Sequence, residues 1–181
     1  MSSPEAHLPR GLNSCPKFLP VDLLIDQYIT HRSNIRSRTM NATNIYVPGS
    51  GDFCKAIHAC DAKRVGNHIF ISGQVGVKWG QTMEDFEVLP TYEEQVRQTW
   101  LNIKNVLEAA GGAPKDIVQI EQFIVHSEAP DIPFADKVMK IFEIKRELLP
   151  DAIPTGSAMG VTHLALPGLM LEIQVEAVVS A

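Results

Sequence analysis

The last stretch of the chain alternates in a way that only a half-buried β-strand satisfies. Apolar residues recur at every second position from Leu171 onward, and the positions between them are polar as far as Glu176. The apolar set is Leu171, Ile173, Val175, Ala177 and Val179, and the polar set is Glu172, Gln174 and Glu176. Because successive strand residues point to opposite faces, the apolar face must be covered by other elements. We therefore predict a final strand over residues 169–179 with helices packed on one side.

Two helices are predicted to supply that cover. Thr91 and Glu94 have capping-box spacing, and a Gly111–Gly112 pair follows at the other end of the first helix. Its apolar stripe is Val96, Trp100, Ile103, Leu107 and Ala110. A second helix is predicted between a cap at Asp131 and Pro150, with a stripe formed by Phe134, Val138, Ile141 and Phe142.

The remaining elements are read as strands, and together they indicate the fold class. The predicted strands run from Phe53 to Asp61, Ile69 to Val77, Ile117 to Val125 and Ser157 to Leu164, with a turn at Gly66–Asn67 and a glycine-rich loop reaching Pro90. The order is strand, strand, helix, strand, helix, strand, strand. It predicts an α/β two-layer sandwich, with a mixed sheet carrying both helices on one face.

The first 48 residues differ from the rest and are predicted to be an N-terminal extension, partly helical or flexible. They are rich in proline and then in arginine, and Val21 to Ile29 has the spacing of a short amphipathic helix. The arginines suggest an organelle transit peptide, whereas Glu5, Asp22 and Asp26 argue against one. Residues 49–181 are predicted to be one domain, in a cytoplasmic protein with the mitochondrion as the alternative.

Composition and residue spacing disfavour several classes of binding partner. The formal net charge is −5, which disfavours a nucleic-acid binder because phosphate contacts need clustered lysine and arginine. Apolar runs are too short to span a membrane. No histidine pair or Cys/His cluster has the spacing of a metal site, so neither a metal nor a cofactor is expected.

Several segments together resemble the RidA/YjgF/UK114 family of reactive-intermediate deaminases. They are Val65–Gln74 (VGNHIFISGQ), Asn102–Gly111 (NIKNVLEAAG), Asp116–Val118, and Leu166–Gly168 followed by Glu172–Ile173. The resemblance extends from about Phe53 to Ser180. It implies a chorismate-mutase-like fold and a homotrimer with clefts between subunits. It also implies a small-molecule substrate, an enamine or imine that is hydrolysed to ammonia and a keto acid without a cofactor.

The resemblance also assigns residues to the cleft. Glu172 matches the glutamate that orients water, and Ser72 and Gly73 match a turn that lines the cleft with backbone groups. A two-residue shift in register would put Gln174 or Glu176 in place of Glu172, since all three share one strand face.

Four positions depart from the family pattern. The arginine that clamps the substrate carboxylate is replaced by Gly156, next to the retained Ser157, and the cysteine that often follows that serine is replaced by Ala158. The tyrosine near the start of the domain appears as Phe53, and the asparagine at the head of the second helix appears as Asp136. A lost guanidinium and an added carboxylate predict a pocket for a neutral or cationic substrate rather than an amino-acid-derived carboxylate.

Two functions remain open from the sequence. The first is a RidA-like enzyme that uses Glu172 to position water, with Phe53, Ser72, Gly73, Asp136, Gly156 and Ser157 shaping the pocket. The second is a trimer that binds a metabolite or acts as a scaffold without catalysis.

Overall fold

The computed structural model describes residues 41–80 and 85–180. The helices are α1 (Ser50–Ala56), α2 (Tyr92–Ala109) and α3 (Phe134–Leu148), with a short 3-10 turn at Pro114–Asp116. The strands are β1 (Ala42–Ile45), β2 (Ala62–Val65), β3 (His68–Val75), β4 (Val77–Trp79), β5 (Phe86–Val88), β6 (Ile117–Val125), β7 (Thr155–Val161) and β8 (Leu171–Val178).

Six of these strands form one mixed sheet in the order β1-β2-β3-β8-β6-β7. The β6–β7 pair is parallel and the other pairs are antiparallel. A parallel pair needs a crossover connection, which α3 supplies between β6 and β7. The predicted α/β class with helices on one face of a mixed sheet is confirmed.

The core lies between that sheet and helices α2 and α3. The side chains of Leu171, Ile173, Val175 and Ala177 are buried there, as their alternation predicts. The largest buried ring is Trp100 of α2, which donates through Nε1 to the Ile141 carbonyl at 3.1 Å. This hydrogen bond ties the two helices together inside the apolar layer.

Helix α2 begins and ends as the sequence predicts. Thr91 Oγ1 accepts from the Glu94 amide at 3.3 Å, and the Thr91 amide donates to the Glu94 carboxylate at 3.2 Å, which completes the capping box. At the other end Gly111 has a φ of 77°, the left-handed conformation that favours glycine.

The second long helix differs from its prediction. It starts three residues after Asp131, and its N-cap residue Pro133 has no side-chain hydrogen bond, so the predicted Asp131 cap is wrong. Its buried side chains are Lys137, Ile141 and Ile144, whereas Val138 is only partly buried. The apolar stripe is therefore rotated by about one position, and a lysine lies within it.

The first predicted strand is also wrong. Most of the segment from Phe53 to Asp61 is helix α1 and the turn after it. The buried Asp61 carboxylate accepts from Ser50 Oγ at 2.5 Å and from the Val47 amide at 3.0 Å. These hydrogen bonds hold both sides of α1, so a tertiary contact overrides the local strand preference.

Residues 1–40 lie outside the described part of the chain, and with them the helix predicted at Val21 to Ile29. The described part starts just before β1, which pairs antiparallel with β2. The boundary between residues 48 and 49 stays a prediction. The predicted loop before Pro90 contains the β4–β5 hairpin. No helix within residues 41–80 and 85–180 is long and apolar enough to cross a bilayer.

Candidate functional site

Glu172 lies on β8 and faces away from the helices. Its neighbours Leu171 and Ile173 are fully buried on the helix-covered face, so alternation places Glu172 on the other face, where it is half-buried. This burial raises the pKa of the carboxyl group above its usual value. A carboxylate with a raised pKa is a better proton acceptor and donor near neutral pH than an exposed one.

The Glu172 carboxylate lies against Gly73 of the neighbouring strand. A side chain at position 73 would overlap the Glu172 carboxylate oxygen and the carbon that carries it. The pairing of β3 with β8 shifts between Ile71 and Gln74, so Gly73 lies in an irregularity of the ladder. The glycine therefore makes room for the acid, and the sequence prediction that groups these two residues agrees with this geometry.

Ser72 adjoins this pair, but its polar groups are already engaged. Its hydroxyl donates to the Cys60 carbonyl at 2.7 Å, and its amide donates to the Asp61 carbonyl at 2.9 Å. The Ser72 carbonyl accepts from Gln74 Nε2 at 3.0 Å. Ser72 thus fixes the turn under Glu172, and among the residues that the structure describes its hydroxyl has no acidic or basic side chain as a hydrogen-bond partner.

Gln174 and Glu176, the two alternatives to Glu172, lie on the same face of the sheet but further along β8. Gln174 and Glu176 are exposed and line a shallow cavity of about 150 Å³ with Phe70, Gln119 and Glu121. The glycine of the Ser-Gly-Gln turn meets Glu172. The geometry therefore favours Glu172 as the carboxylate associated with that turn.

Phe53 lies on helix α1, whereas Glu172 lies on strand β8. The Phe53 ring centroid is 5.7 Å from that of Trp79, which in turn is 6.0 Å from Phe86. Phe53 therefore packs within an aromatic cluster.

Lys137 is a buried ionisable residue that sequence reasoning missed. Its side chain is 0% exposed, and its ammonium donates to the His126 carbonyl at 2.9 Å and to the Val125 carbonyl at 3.4 Å. Burial lowers the pKa of Lys137. The signal that could have found it is its spacing of four and seven residues from Ile141 and Ile144, which places it on the buried stripe.

Comparison with known proteins gives this arrangement a context. The sequence profile of the family described as "Endoribonuclease L-PSP" matches residues 53–179. The chain belongs to the RidA/YjgF/UK114 family.

Two curated relatives show the range of the match within this RidA family. The chain is 36% identical over 115 residues to the RutC family protein YjgH of Escherichia coli, which covers 63% of this chain and 77% of that protein. It is 30% identical over 103 residues to a 2-iminobutanoate/2-iminopropanoate deaminase of Dermatophagoides farinae, covering 57% of this chain and 72% of that enzyme.

A solved structure of the same family confirms the architecture. The structure described as protein YJGH superposes with a TM-score of 0.61 at 29% identity, covering 77% of this chain and 97% of that one.

Within one chain, the position of the RidA arginine and Glu172 lie on opposite faces of the sheet. Gly156 pairs with Ile120, which pairs with Val175, and both partners are buried on the helix-covered face. Since register partners share a face, Gly156 belongs to the face opposite Glu172. A Cβ at position 156 would lie 2.7 Å from Ile120 Cγ1 and 2.8 Å from the Ile120 carbonyl oxygen. The glycine thus permits a close approach to Ile120 and leaves no free space at that point.

The other two predicted residues are also apart from Glu172 in a single chain. Ser157 follows Gly156 on the edge strand β7 and is exposed, and Asp136 is exposed in the first turn of α3. The structure therefore brings together Glu172, Gly73 and Ser72, and it leaves Phe53, Asp136, Gly156 and Ser157 elsewhere on the same chain.

Proposed function

We propose that the chain is a RidA-type hydrolase that deaminates an enamine, an imine or a related small metabolite. The observation that carries this proposal is the half-buried Glu172 carboxylate seated over Gly73. Its raised pKa suits a group that takes a proton from water and returns it later. Membership in a family that includes a protein named as an imine deaminase supports the same reaction.

In this proposal Glu172 acts on a water held between its carboxylate and the substrate. The water oxygen bonds to the imine carbon while Glu172 accepts the water's proton. Glu172 returns this proton to the nitrogen, which gives a neutral carbinolamine. Glu172 then accepts the hydroxyl proton as the C=O bond forms and the C–N bond breaks, and it passes that second proton to the leaving nitrogen. Imine and water thus become a carbonyl compound and ammonia, with Gly73 holding the carboxylate in place.

The complete cleft is proposed to form between neighbouring copies in a homotrimer. Gly156, Ser157 and Asp136 of one copy would then face Glu172 and Gly73 of the next, which a single chain does not achieve. Exposed apolar side chains on strands of the sheet support an assembly of this kind: Phe70 is 43% exposed and Met159 is 36% exposed.

The cleft is proposed not to be specialised for amino-acid-derived carboxylates. Gly156 offers no guanidinium, and Asp136 adds a negative charge. A bidentate guanidinium contact to a carboxylate is worth about 1.5–3 kcal/mol, so its loss weakens binding of such substrates by roughly ten- to a hundredfold. A neutral or cationic substrate is the better match.

The deciding experiment is an imine-hydrolysis assay of the wild-type protein, Glu172→Gln and Glu176→Gln on neutral, cationic and anionic imines. Glu176 is a matched control because it is another glutamate on the same face of β8, further along the strand. Loss of hydrolysis in Glu172→Gln alone supports the proposal. Loss only in Glu176→Gln would move the reaction to that residue.

A second function is a trimer that binds a metabolite or acts as a scaffold without catalysis. The observation that favours it is Gly156, because the substitution removes the main substrate anchor of the family. Equal hydrolysis by wild type and Glu172→Gln on every imine, together with small-molecule stabilisation of both proteins in a thermal-shift screen, would support this second function.

A further inference from the structure

A second cavity lies away from Glu172. It measures about 620 Å³, within the range typical of small-molecule sites, and it lies between α2 and the β3–β4 segment. Its walls include Gln74, Lys78, Trp79, Asn102, Asn105 and Glu108. Neither Glu172, Gly73 nor Ser72 lines it, so it is distinct from the site of proposed hydrolysis.

Two carboxamides in the wall are buried and held rigid by the backbone. Asn102 is 7% exposed, and its Nδ2 donates to the carbonyls of Val75 and Val77 at 3.0 and 2.9 Å. Gln74 is 5% exposed, and its Nε2 donates to the Ser72 carbonyl at 3.0 Å. These contacts use the amide donors and fix the direction of both side chains.

The side-chain carbonyl oxygen of Gln74, Oε1, is the acceptor in this wall that a ligand can use. Within residues 41–80 and 85–180, Oε1 accepts no hydrogen bond, although the side chain is 95% buried and lines the cavity. This oxygen is therefore available to accept a hydrogen bond from a molecule that presents an N–H within the cavity. Asn105 is exposed on the same wall and can both donate and accept.

The charges of the cavity cancel. Lys78 and Glu108 are the charged residues of the lining, one of each sign. A site for an anion or a cation would carry an excess of the opposite charge. The lining therefore favours a neutral ligand with polar edges.

Trp79 adds a flat apolar wall. Its ring is held by Phe53 and Phe86, with centroid separations of 5.7 and 6.0 Å. An indole face favours stacking by a planar ring, and carboxamides match the donor and acceptor edges of a heterocyclic base.

We propose that this cavity binds a neutral planar nitrogen heterocycle of the nucleobase type. The ring lies along Trp79, an N–H of the ring donates to Gln74 Oε1, and Asn105 pairs with a neighbouring edge. The free base, the nucleoside and the nucleotide share this ring chemistry and differ in what is attached to it.

The test is calorimetric titration of the full-length protein with uracil, adenine, their nucleosides and their monophosphates. Binding of at least one ring with a Kd below about 1 mM is expected. N1,N3-dimethyluracil, which has lost both ring N–H groups, is expected to bind at least about tenfold more weakly than uracil if uracil is the ring that binds. The relative affinities of base, nucleoside and monophosphate identify the natural source.

Two matched variants locate the binding. Ala109 is exposed at the cavity wall, and Ala109→Trp fills the space, so the affinity is expected to fall at least about tenfold. Ala135→Trp makes the same change at an exposed position on α3, away from this cavity, and leaves the affinity within about twofold. The proposal is overturned if no compound binds, or if Ala109→Trp binds as tightly as wild type. Ring binding is measured also in Glu172→Gln, whose unchanged affinity would separate this site from the proposed hydrolysis.

Discussion

The carboxylate of Glu172 occupies the space in which a side chain at Gly73 would lie. The two residues belong to paired strands and meet at the irregularity between β3 and β8. A substitution of Gly73 therefore tests the position of the Glu172 carboxylate without removing any ionisable group.

Gly73→Ala is expected to displace the Glu172 carboxylate and lower kcat/KM for imine hydrolysis at least about tenfold. The reason is that a displaced carboxylate no longer holds the water in a reactive geometry. Gly160→Ala is the matched control, since a Cβ there lies at an ordinary 3.5 Å from Phe134 Cε2. Steady-state kinetics of both variants check this. Equal activity of Gly73→Ala and wild type would contradict the role given to this contact.

Glu172→Gln is expected to stabilise the protein at neutral pH. Burial raises the folded-state pKa of Glu172, so above that pKa the ionised carboxylate disfavours the folded state. Between the unfolded and the folded pKa the native state binds more protons, and the free energy of unfolding falls as pH rises. Urea unfolding from pH 4 to 8 should show the advantage of the variant growing with pH and vanishing in acid. A gain in stability of Glu172→Gln that does not change with pH would refute the raised pKa of Glu172.

Lys137→Met is expected to remove a rise in stability at alkaline pH. The pKa of Lys137 is lowered by burial, so between that pKa and its unfolded value the unfolded chain binds more protons. The wild-type free energy of unfolding therefore increases with pH through this window, and the Met variant lacks the increase. Unfolding curves of both proteins from pH 7 to 10 measure the difference. Lys104→Met, at a residue with an exposed ion pair, serves as the control.

Gly156→Ala is expected to destabilise the fold by about 1–3 kcal/mol, because its Cβ would press on Ile120. The same overlap predicts that Gly156→Arg alone does not restore carboxylate binding without rearrangement of β6. Thermal unfolding of Gly156→Ala beside Gly160→Ala checks the first point. If the two variants melt together at the wild-type temperature, position 156 is not tightly packed.

Phe70→Asp is expected to weaken the proposed trimer, since it places a charge on an exposed apolar position of the sheet. Sedimentation velocity should show a loss of trimer at micromolar concentration and a monomer in its place. Glu93→Asp, at an exposed helix position, should leave the distribution unchanged. A wild-type protein that sediments as a monomer would remove the intersubunit cleft.

The parts of the fold that the sequence predicted are those with strong local signals. The alternation of β8 and the capping box of α2 depend on neighbouring residues, and both are found as predicted. Helix α1 was missed because its position depends on the Asp61 carboxylate, which bonds to Ser50 and Val47 from outside the helix. Lys137 was missed because lysine is ordinarily exposed, and only the packing of α3 shows that it is buried.

The same distinction applies to the candidate site. Glu172, Gly73 and Ser72 lie close together because they belong to adjacent strands of one chain, and their assignment to a reaction site stays a prediction. The close approach of Gly156 to Ile120 has no local signal, since it depends on how β6 and β7 pair.

The pairing of β3 with β8 joins segments about a hundred residues apart in the chain, and this separation affects how the protein folds. Contacts of such long range form slowly, because the intervening loop must lose its freedom first. Glu172 and Gly73 therefore meet only after most of the polypeptide has been synthesised and collapsed. A chain still lacking β8 has no strand to join β3 to β6, so the sheet is divided and the proposed site forms only when the sheet is closed.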